Sequence, residues 1–268
     1  MSMQWRGPGV VALAMALLAP AARAGGDATC APADLAAVDT WLAQHPFRTG
    51  PATPESRVDA ACKATSQDRQ TTIVALAFDA GANVDKNLVV ALVDSTSRAI
   101  RSAFQGTIQE DATLHVARGS LHLDTARYDL APGRRAFGLD LSSAYGKGCV
   151  TGGQGAQRAL FLQEGQALRL VLDGLTMSSW HFVSGTPECM RARPGADGDP
   201  VVEHADMTPA VAPHATQGLA DLVVTESIMR DSGKAKRTRH VLQFDGSTYP
   251  SLSGNRTIQP GPAAASAK

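Results

Sequence analysis

The segment Leu121–Leu141, LHLDTARYDLAPGRRAFGLDL, organises the predicted fold because its pattern is that of a β-hairpin. Its turn is Ala131–Arg134, with proline and glycine at the two central positions. Pro132 presets φ at the second position, and Gly133 accepts the positive φ that a type II turn needs at the third. The remaining chain is therefore interpreted as strands that assemble around this hairpin.

The register of the hairpin follows by counting outward from the turn. The facing pairs are Ala131–Arg134, Tyr128–Phe137 and Ala126–Leu139. Alternate residues of a strand share a face. One face is then apolar, with Ala126, Tyr128, Leu130, Phe137, Leu139 and Leu141. The other face carries Arg127, Asp129, Arg134, Gly138 and Asp140. Leu121 and Leu123 have the opposite parity, which predicts a β-bulge near Asp124.

Within this segment, Leu123–Leu141 resembles a stretch found in uncharacterised secreted or periplasmic proteins of Gram-negative bacteria. The resemblance covers about twenty residues, roughly one hairpin in length, and carries no catalytic motif. It implies a secreted, β-rich protein of unknown role.

The first residues have the layout of a secretory signal peptide that covers residues 1–24. Arg6 provides the positive region, Val10–Leu18 the apolar region, and Ala22–Ala24 an A-x-A cleavage site. The apolar run is shorter than the roughly 20 residues that cross a bilayer, and no later stretch is apolar enough for a membrane span. The chain has no net charge, so we expect no nucleic-acid partner. We predict a periplasmic or secreted location.

The chain contains four cysteines, an even number behind a signal peptide, which favours disulfide bonds. Three pairings are possible, and pairing neighbours in sequence closes the shorter loops. The predicted bonds are Cys30–Cys62 and Cys149–Cys189. No two cysteines have C-x-x-C spacing, so a zinc site is the weaker interpretation.

The rest of the chain divides into an extension, a body and a tail. Residues 25–70 form the extension, in which Ala31–His45 has helical periodicity and a loop follows. Residues 71–249 have strand and turn patterns, except that the proline-rich stretch 190–217 is predicted to be a long loop. Residues 250–268 are predicted to be a disordered tail. The expected fold is mainly β, an antiparallel sandwich or barrel-like sheet with one N-terminal helix.

Two groups of residues have the types needed for chemistry. Glu203, His204 and Asp206 place an imidazole between two carboxylates, as a general base or a metal site requires. They lie in the predicted loop, where a solvated surface segment explains them better. His115 and His122, with Asp124 as a third ligand, are explained by strand alternation, so we predict no metal. No Walker or dinucleotide-binding motif occurs, and no cofactor is expected.

These observations favour a non-catalytic binding or protein-interaction protein with a partner in the cell envelope. An inhibitor or immunity factor for a cell-envelope enzyme is one form, with Phe244–Tyr249 as a contact edge. The alternatives are a cell-envelope hydrolase that uses Glu203, His204 or Asp206, and a structural envelope component. One basic cluster, Lys234–His240, is interpreted as a charged hairpin tip that resists edge pairing.

Overall fold

The computed structural model describes residues 30–81, 85–145, 149–190, 200–230, 233–252, 254 and 256–261. The predicted signal peptide lies outside these residues. Within them the fold is mainly β with one N-terminal helix, as the sequence predicts. The elements are α1 (Pro32–Gln44), β1 (Arg57–Ala64), β2 (Thr71–Asp79), β3 (Lys86–Asp94), β4 (Ile100–Ile108), β5 (Leu121–Ala131), β6 (Arg134–Leu141), β7 (Gly152–Gln154), β8 (Gln157–Glu164), β9 (Ala167–Thr176), β10 (Ser178–Ser184), β11 (Val201–Thr216), β12 (Leu219–Arg230), β13 (Lys236–Leu242) and β14 (Ile258–Pro260).

The first sheet has the strand order β1-β2-β3-β4-β9-β8-β6-β5, and β14 pairs with β4. Neighbouring strands within this sheet are antiparallel, except that β4 and β9 run parallel and share the single register pair Ala103–Ala167. The sheet curls into a half-barrel, and side chains of β1 reach the start of β5. The Asp59 carboxylate accepts hydrogen bonds from the backbone N–H groups of Gly119 and Leu121, and Lys63 Nζ donates to a backbone carbonyl of β5 at 2.8 Å.

The central hairpin forms β5 and β6, with Ala131 opposite Arg134 and a φ of 70° at Gly133. The predicted bulge near Asp124 is confirmed, and a second register shift lies between Asp129 and Ala131. The rest of the predicted register was wrong, because the second shift moves every pair beyond it. The observed pairs there are Tyr128–Ala136, Asp124–Gly138 and Leu123–Leu139.

The hairpin consequently has two apolar faces instead of one. Phe137, Leu139 and Leu141 face the interior of the half-barrel together with Leu121 and Leu123. Tyr128 and Leu130 face the other side, where the second sheet packs. The charged face predicted for the hairpin therefore does not exist as a unit, because the bulge changes which residues share a face.

Strands β2 and β3 are also buried on both faces, as their continuous apolar sequences predict. Alternate residues of β2 face the interior of the half-barrel and the helix, respectively. Helix α1 covers the outer face with Val38 and Leu42. Its docking is reinforced by the ion pairs Asp34–Arg98 and Asp39–Arg57 and by the disulfide Cys30–Cys62.

The extension predicted for residues 25–70 was wrong in one respect, because β1 lies within its supposed loop. The sequence of β1 is RVDAACKA, whose small residues give no apolar alternation. The strand forms because it pairs along β2 and because Cys62 is bonded to Cys30. The extension therefore contributes an edge strand to the first sheet.

The second sheet has the order β13-β12-β11-β10-β7, with all neighbours antiparallel. The prediction of a long loop at 190–217 was wrong for residues 201–216, which form β11. The prolines of this stretch indicated a loop, but the strand accommodates both Pro209 and Pro213. Pro209 stands opposite Val224 in the ladder, and Pro213 falls in a register shift between Val211 and Ala215. Residues 191–199 lie outside the described part of the chain.

The prediction of a disordered tail at 250–268 was wrong for its described middle part, which forms β14. The Asp173 carboxylate accepts hydrogen bonds from the N–H groups of Thr257 and Ile258. Tyr249 N donates to the carbonyl of Val171 at 2.7 Å. The segment thus binds β4 through β14 and binds β9 through these contacts. Residues 262–268 lie outside the described residues.

Candidate functional site

Glu203, His204 and Asp206 lie on β11 and do not converge, because successive residues of a strand point to opposite faces. The Glu203 carboxylate is 2.6 Å from Arg230 Nε and 3.6 Å from His181 Nε2. The hydrogen bond from Arg230 lowers the pKa of Glu203 below its ordinary value. His204 and Asp206 are exposed on the other face. The three side chains therefore do not form a site together.

His115 and His122 are likewise not part of a shared site. His115 stacks on Tyr145 and places its Nδ1 3.3 Å from the Glu110 carboxylate. Asp124, the proposed third ligand, forms an ion pair with Arg158 at 2.7 Å. Within the described residues, no three His, Cys, Asp or Glu side chains are grouped so that they could hold a metal ion.

A cavity of about 130 Å³ opens at one end of the half-barrel. Its rim includes Arg101 and Arg135 above the apolar side chains of Ile73 and Phe137. Arg101 is bound by Asp94 and Asp68, and Arg135 is bound by Asp129. Ligand pockets usually measure about 300–1,000 Å³. This cavity is smaller, and its two cations are already neutralised.

A larger groove of about 500 Å³ lies between the β5–β6 turn and the β11–β12 turn. Its lining is mostly small or apolar and includes Leu130, Pro132 and Pro213. His214 also lines it and places its Nε2 3.2 Å from the carboxylate of Asp221, which is fully buried. Neither carboxylate oxygen of Asp221 has a hydrogen bond in the structure. The lining contains no nucleophile, so the pair does not form a catalytic triad.

One face of the second sheet packs on the core near the β11–β12 turn, and the other face is directed toward solvent. Leu222, Val224 and Leu242 are buried on the inner face. Residues that are paired in register share a face, so the outer face can be described as rows that cross the strands. The rows are Trp180–His204–Met229, Ser178–Asp206–Ser227–Arg237, Thr208–Thr225–Arg239 and Ala210–Val223–Val241. We call this surface the open face.

Trp180 is the largest side chain of the open face, and its ring lies across the neighbouring strand β7. A Cβ atom on Gly153 would lie 2.7 Å from the indole Nε1, so only glycine leaves room for this ring. Phe182 contacts the indole edge-to-face, with ring centroids 5.5 Å apart. Trp180 is therefore an aromatic side chain that is held in place and remains half-buried. Such residues are frequent at the energetic centres of protein interfaces.

The open face also carries exposed apolar and cationic side chains. Met229 is 40% exposed and Val241 is 53% exposed. Arg237 and Arg239 stand beside them on β13 and are exposed as well. Glu226 and Glu203 lie on the opposite face and are bound by His240 and Arg230 respectively. The open face thus combines an aromatic residue near one end with two arginines on β13.

The contact edge predicted at Phe244–Tyr249 was wrong for its two aromatic ends, whereas Asp245–Ser247 between them are exposed. Phe244 and Tyr249 are each 3% exposed and lie against one another in the core, with ring centroids 5.2 Å apart. The Tyr249 hydroxyl donates a hydrogen bond to the carbonyl of Ala220. Burial, with a smaller contribution from the charge of Asp221, raises the pKa of Tyr249. The two aromatic ends stabilise the core, and the exposed residues between them are not part of a strand.

The open face was not predicted, because the residues of β11 were expected to form a loop. One signal was available: Ala205, Met207, Pro209 and Val211 alternate with His204, Asp206, Thr208 and Ala210. That is the period-two pattern of a strand with one covered face. The prolines of this stretch favoured a loop, and this alternation was not used to predict a strand.

Both predicted disulfides are present, and none of the four cysteines is free. Paired cysteines of this kind are typical of proteins that fold in an oxidising environment. None of the helices in the described residues has the length and apolar character needed to traverse a bilayer. Comparisons with protein-family models, with curated proteins and with solved structures found no match to this chain.

Proposed function

We propose that this protein is a non-catalytic binding protein of the periplasm or the extracellular space, and that it holds a partner protein on the open face. The observation that carries the proposal is the row Trp180–His204–Met229, on a sheet whose opposite face joins the core further along the strands, at Leu222 and Val224. The core fixes the strands, and the outer side chains remain available to a partner. An inhibitor or immunity factor for a cell-envelope enzyme is the concrete form of this role.

Charge complementarity indicates the chemistry of the partner surface. Arg237 and Arg239 are exposed on the open face, and Lys234 and Lys236 are exposed nearby. Asp206 is the acidic residue in the described rows, and it stands two strands away from Arg237. A partner with apolar residues that meet Trp180 and Met229, and with carboxylates that meet β13, fits this arrangement.

The location rests on the predicted leader at residues 1–24 and on the two disulfides. No specific observation favours a hydrolase, because Glu203 faces away from His204 and Asp206. A purely structural role is the alternative that the binding experiment separates, since that role requires no partner on the open face.

The experiment uses two matched variants of the mature protein. Met229→Glu alters the Trp180–His204–Met229 row of the open face, and Leu252→Glu is its control, since both side chains are 40% exposed. Each immobilised protein is incubated with envelope extract from the cells that produce it. Retained proteins are identified by mass spectrometry, purified and titrated against the protein by isothermal calorimetry.

The proposal predicts a retained protein that binds the wild type and Leu252→Glu equally, and binds Met229→Glu at least about tenfold more weakly. Unchanged thermal unfolding of both variants shows that the fold is intact. Equal binding to all three proteins, or no retained protein that binds on titration, contradicts the proposal.

A further inference from the structure

Strand β13 is the long open edge among the sheet edges of the described residues. The edge of β1 is tied to β5 by Asp59 and Lys63, and β5 itself is interrupted by two bulges. Strands β7 and β14 are three residues long. These are the usual ways in which proteins protect a sheet edge from pairing with another chain. Among the described residues, no strand or helix pairs with the outer side of β13, and its ladder with β12 has no bulge.

The pairing of β13 with β12 is regular over all seven residues, from Lys236 opposite Ile228 to Leu242 opposite Leu222. In an antiparallel ladder, alternate residues direct their N–H and C=O groups away from the paired strand. Strand β13 therefore presents a row of backbone donors and acceptors along its outer side. A regular edge of this length matches the extent of strand that peptide-binding sheets offer by strand addition.

The side chains of this edge are strongly basic. Arg237 and Arg239 lie on the open face, and Lys236 and His240 lie on the opposite face. His240 is bound to Glu226 at 2.9 Å, which leaves three cations at the edge. A second copy of β13 added along this edge would place like charges near one another, which is destabilising. The edge therefore excludes its own copy and favours a strand of opposite charge.

We propose that the edge of β13 binds an extended acidic segment of the partner protein as an additional antiparallel strand of the second sheet. This inference rests on the proposed function and specifies the chemistry of its partner. Facing residues of neighbouring strands share a face, so the side chains of β13 define the segment. Carboxylates stand opposite Lys236, Arg237 and Arg239, a β-branched residue opposite Thr238, and an apolar residue opposite Val241. Read from its N-terminus, the segment is apolar–any–acidic–β-branched–acidic–acidic.

The test uses three capped peptides. Val-Thr-Glu-Thr-Glu-Glu has the derived pattern, and Val-Thr-Lys-Thr-Lys-Lys reverses its charge. Val-Thr-Glu-Pro-Glu-Glu keeps the charge, but proline restricts the backbone and disfavours an extended ladder strand. Binding to the whole mature protein is followed by backbone amide shifts in NMR titrations at low salt.

The first peptide is expected to bind at least about tenfold more tightly than either of the others, a difference large enough to measure in a weak complex. The amide shifts concentrate on β13 and extend to β12. The variant Arg237→Glu/Arg239→Glu weakens this binding by at least about tenfold. The control Arg118→Glu/Arg127→Glu, which reverses two exposed arginines elsewhere, leaves it unchanged.

Equal binding of the proline peptide would overturn strand addition and leave only attraction between charges. No binding of the first peptide would show that the basic residues serve only to protect the edge. A retained partner that depends on Met229 would then still support the proposed function. Conversely, if the first peptide binds but no retained partner depends on Met229, the edge site is supported and the proposed function is contradicted. The two proposals can therefore fail separately.

Discussion

The first sheet and the open face of the second sheet differ in how much of their surface is covered by other elements. The first sheet buries its interior, receives α1 on one outer region and the second sheet on another, and ties β1 to β5 with Asp59 and Lys63. The open face keeps Met229, Val241 and two arginines in solvent. Stability is thus concentrated in the first sheet, and the open face contributes less to folding than its size implies. A surface that contributes little to the stability of the fold can bind a partner without loss of that stability.

The largest expected effect comes from the two disulfides. Bonds that join residues 32 and 40 positions apart each stabilise by about 4 kcal/mol in the chain-entropy model. Replacement of Cys30 and Cys62 by alanine costs more than replacement of Cys149 and Cys189. The first pair is buried among α1 and β2, so its loss also leaves a cavity.

Urea denaturation of the two double-alanine variants measures this difference as two free energies of unfolding. A larger loss of unfolding free energy for the Cys149/Cys189 variant than for the Cys30/Cys62 variant would contradict the view that stability is concentrated in the first sheet. It would mean that the link at the second sheet matters more for folding than the link to the helix.

The next effect concerns Arg158 on β8, at the outer surface of the first sheet. Its guanidinium binds Asp140 through two hydrogen bonds of 2.6 Å and also contacts Asp124 and the Tyr128 hydroxyl, each at 2.7 Å. Burial alone would lower the pKa of Arg158, but the hydrogen bonds and charge of Asp140 raise it above its ordinary value. Arg158→Ala removes the cation that Asp140 and Asp124 share, and we expect a loss of about 3–4 kcal/mol.

The matched control for Arg158 is Arg239→Ala on the open face, which should change stability by less than about 0.5 kcal/mol. Both values come from urea unfolding at neutral pH. Similar losses for the two variants would show that the open face is as important for folding as the first sheet.

A smaller effect is expected at His214, at the junction of the two regions. Asp221 is fully buried, and His214 Nε2 lies 3.2 Å from its carboxylate. His214→Ala removes this polar neighbour of a buried carboxylate that has no hydrogen bond, and we expect a loss of about 1–3 kcal/mol. His181→Ala is the control, because its carboxylate partner Glu203 keeps Arg230. The control should lose less than about 0.5 kcal/mol by thermal or urea unfolding, and equal losses would refute this role for His214.

The sequence predicted those parts of the fold that depend on local patterns. The turn at Pro132–Gly133, the bulge near Asp124, the doubly buried strands and both disulfide pairs are confirmed. Each follows from turn chemistry, residue parity, apolar runs or cysteine spacing, which need no knowledge of distant contacts.

Elements that depend on distant partners were not predictable in this way. Strand β1 has small residues and forms by pairing with β2, and β14 forms because Asp173 binds its backbone. Strand β11 contains prolines that its register with β12 tolerates. The open face could not be predicted, because its rows bring together residues from four strands that the sequence separates widely.

Native-state hydrogen exchange tests the central claim most directly, since it gives an opening free energy for each amide. The amides that pair β2 with β3 should exchange only through global unfolding. Those that pair β13 with β12 should exchange through local opening, at a free energy lower by at least about 2 kcal/mol. Addition of the derived acidic peptide should slow exchange in β13 and leave β2 and β3 unchanged. Equal opening free energies in the two regions, with no protection of β13 by the peptide, would contradict the account.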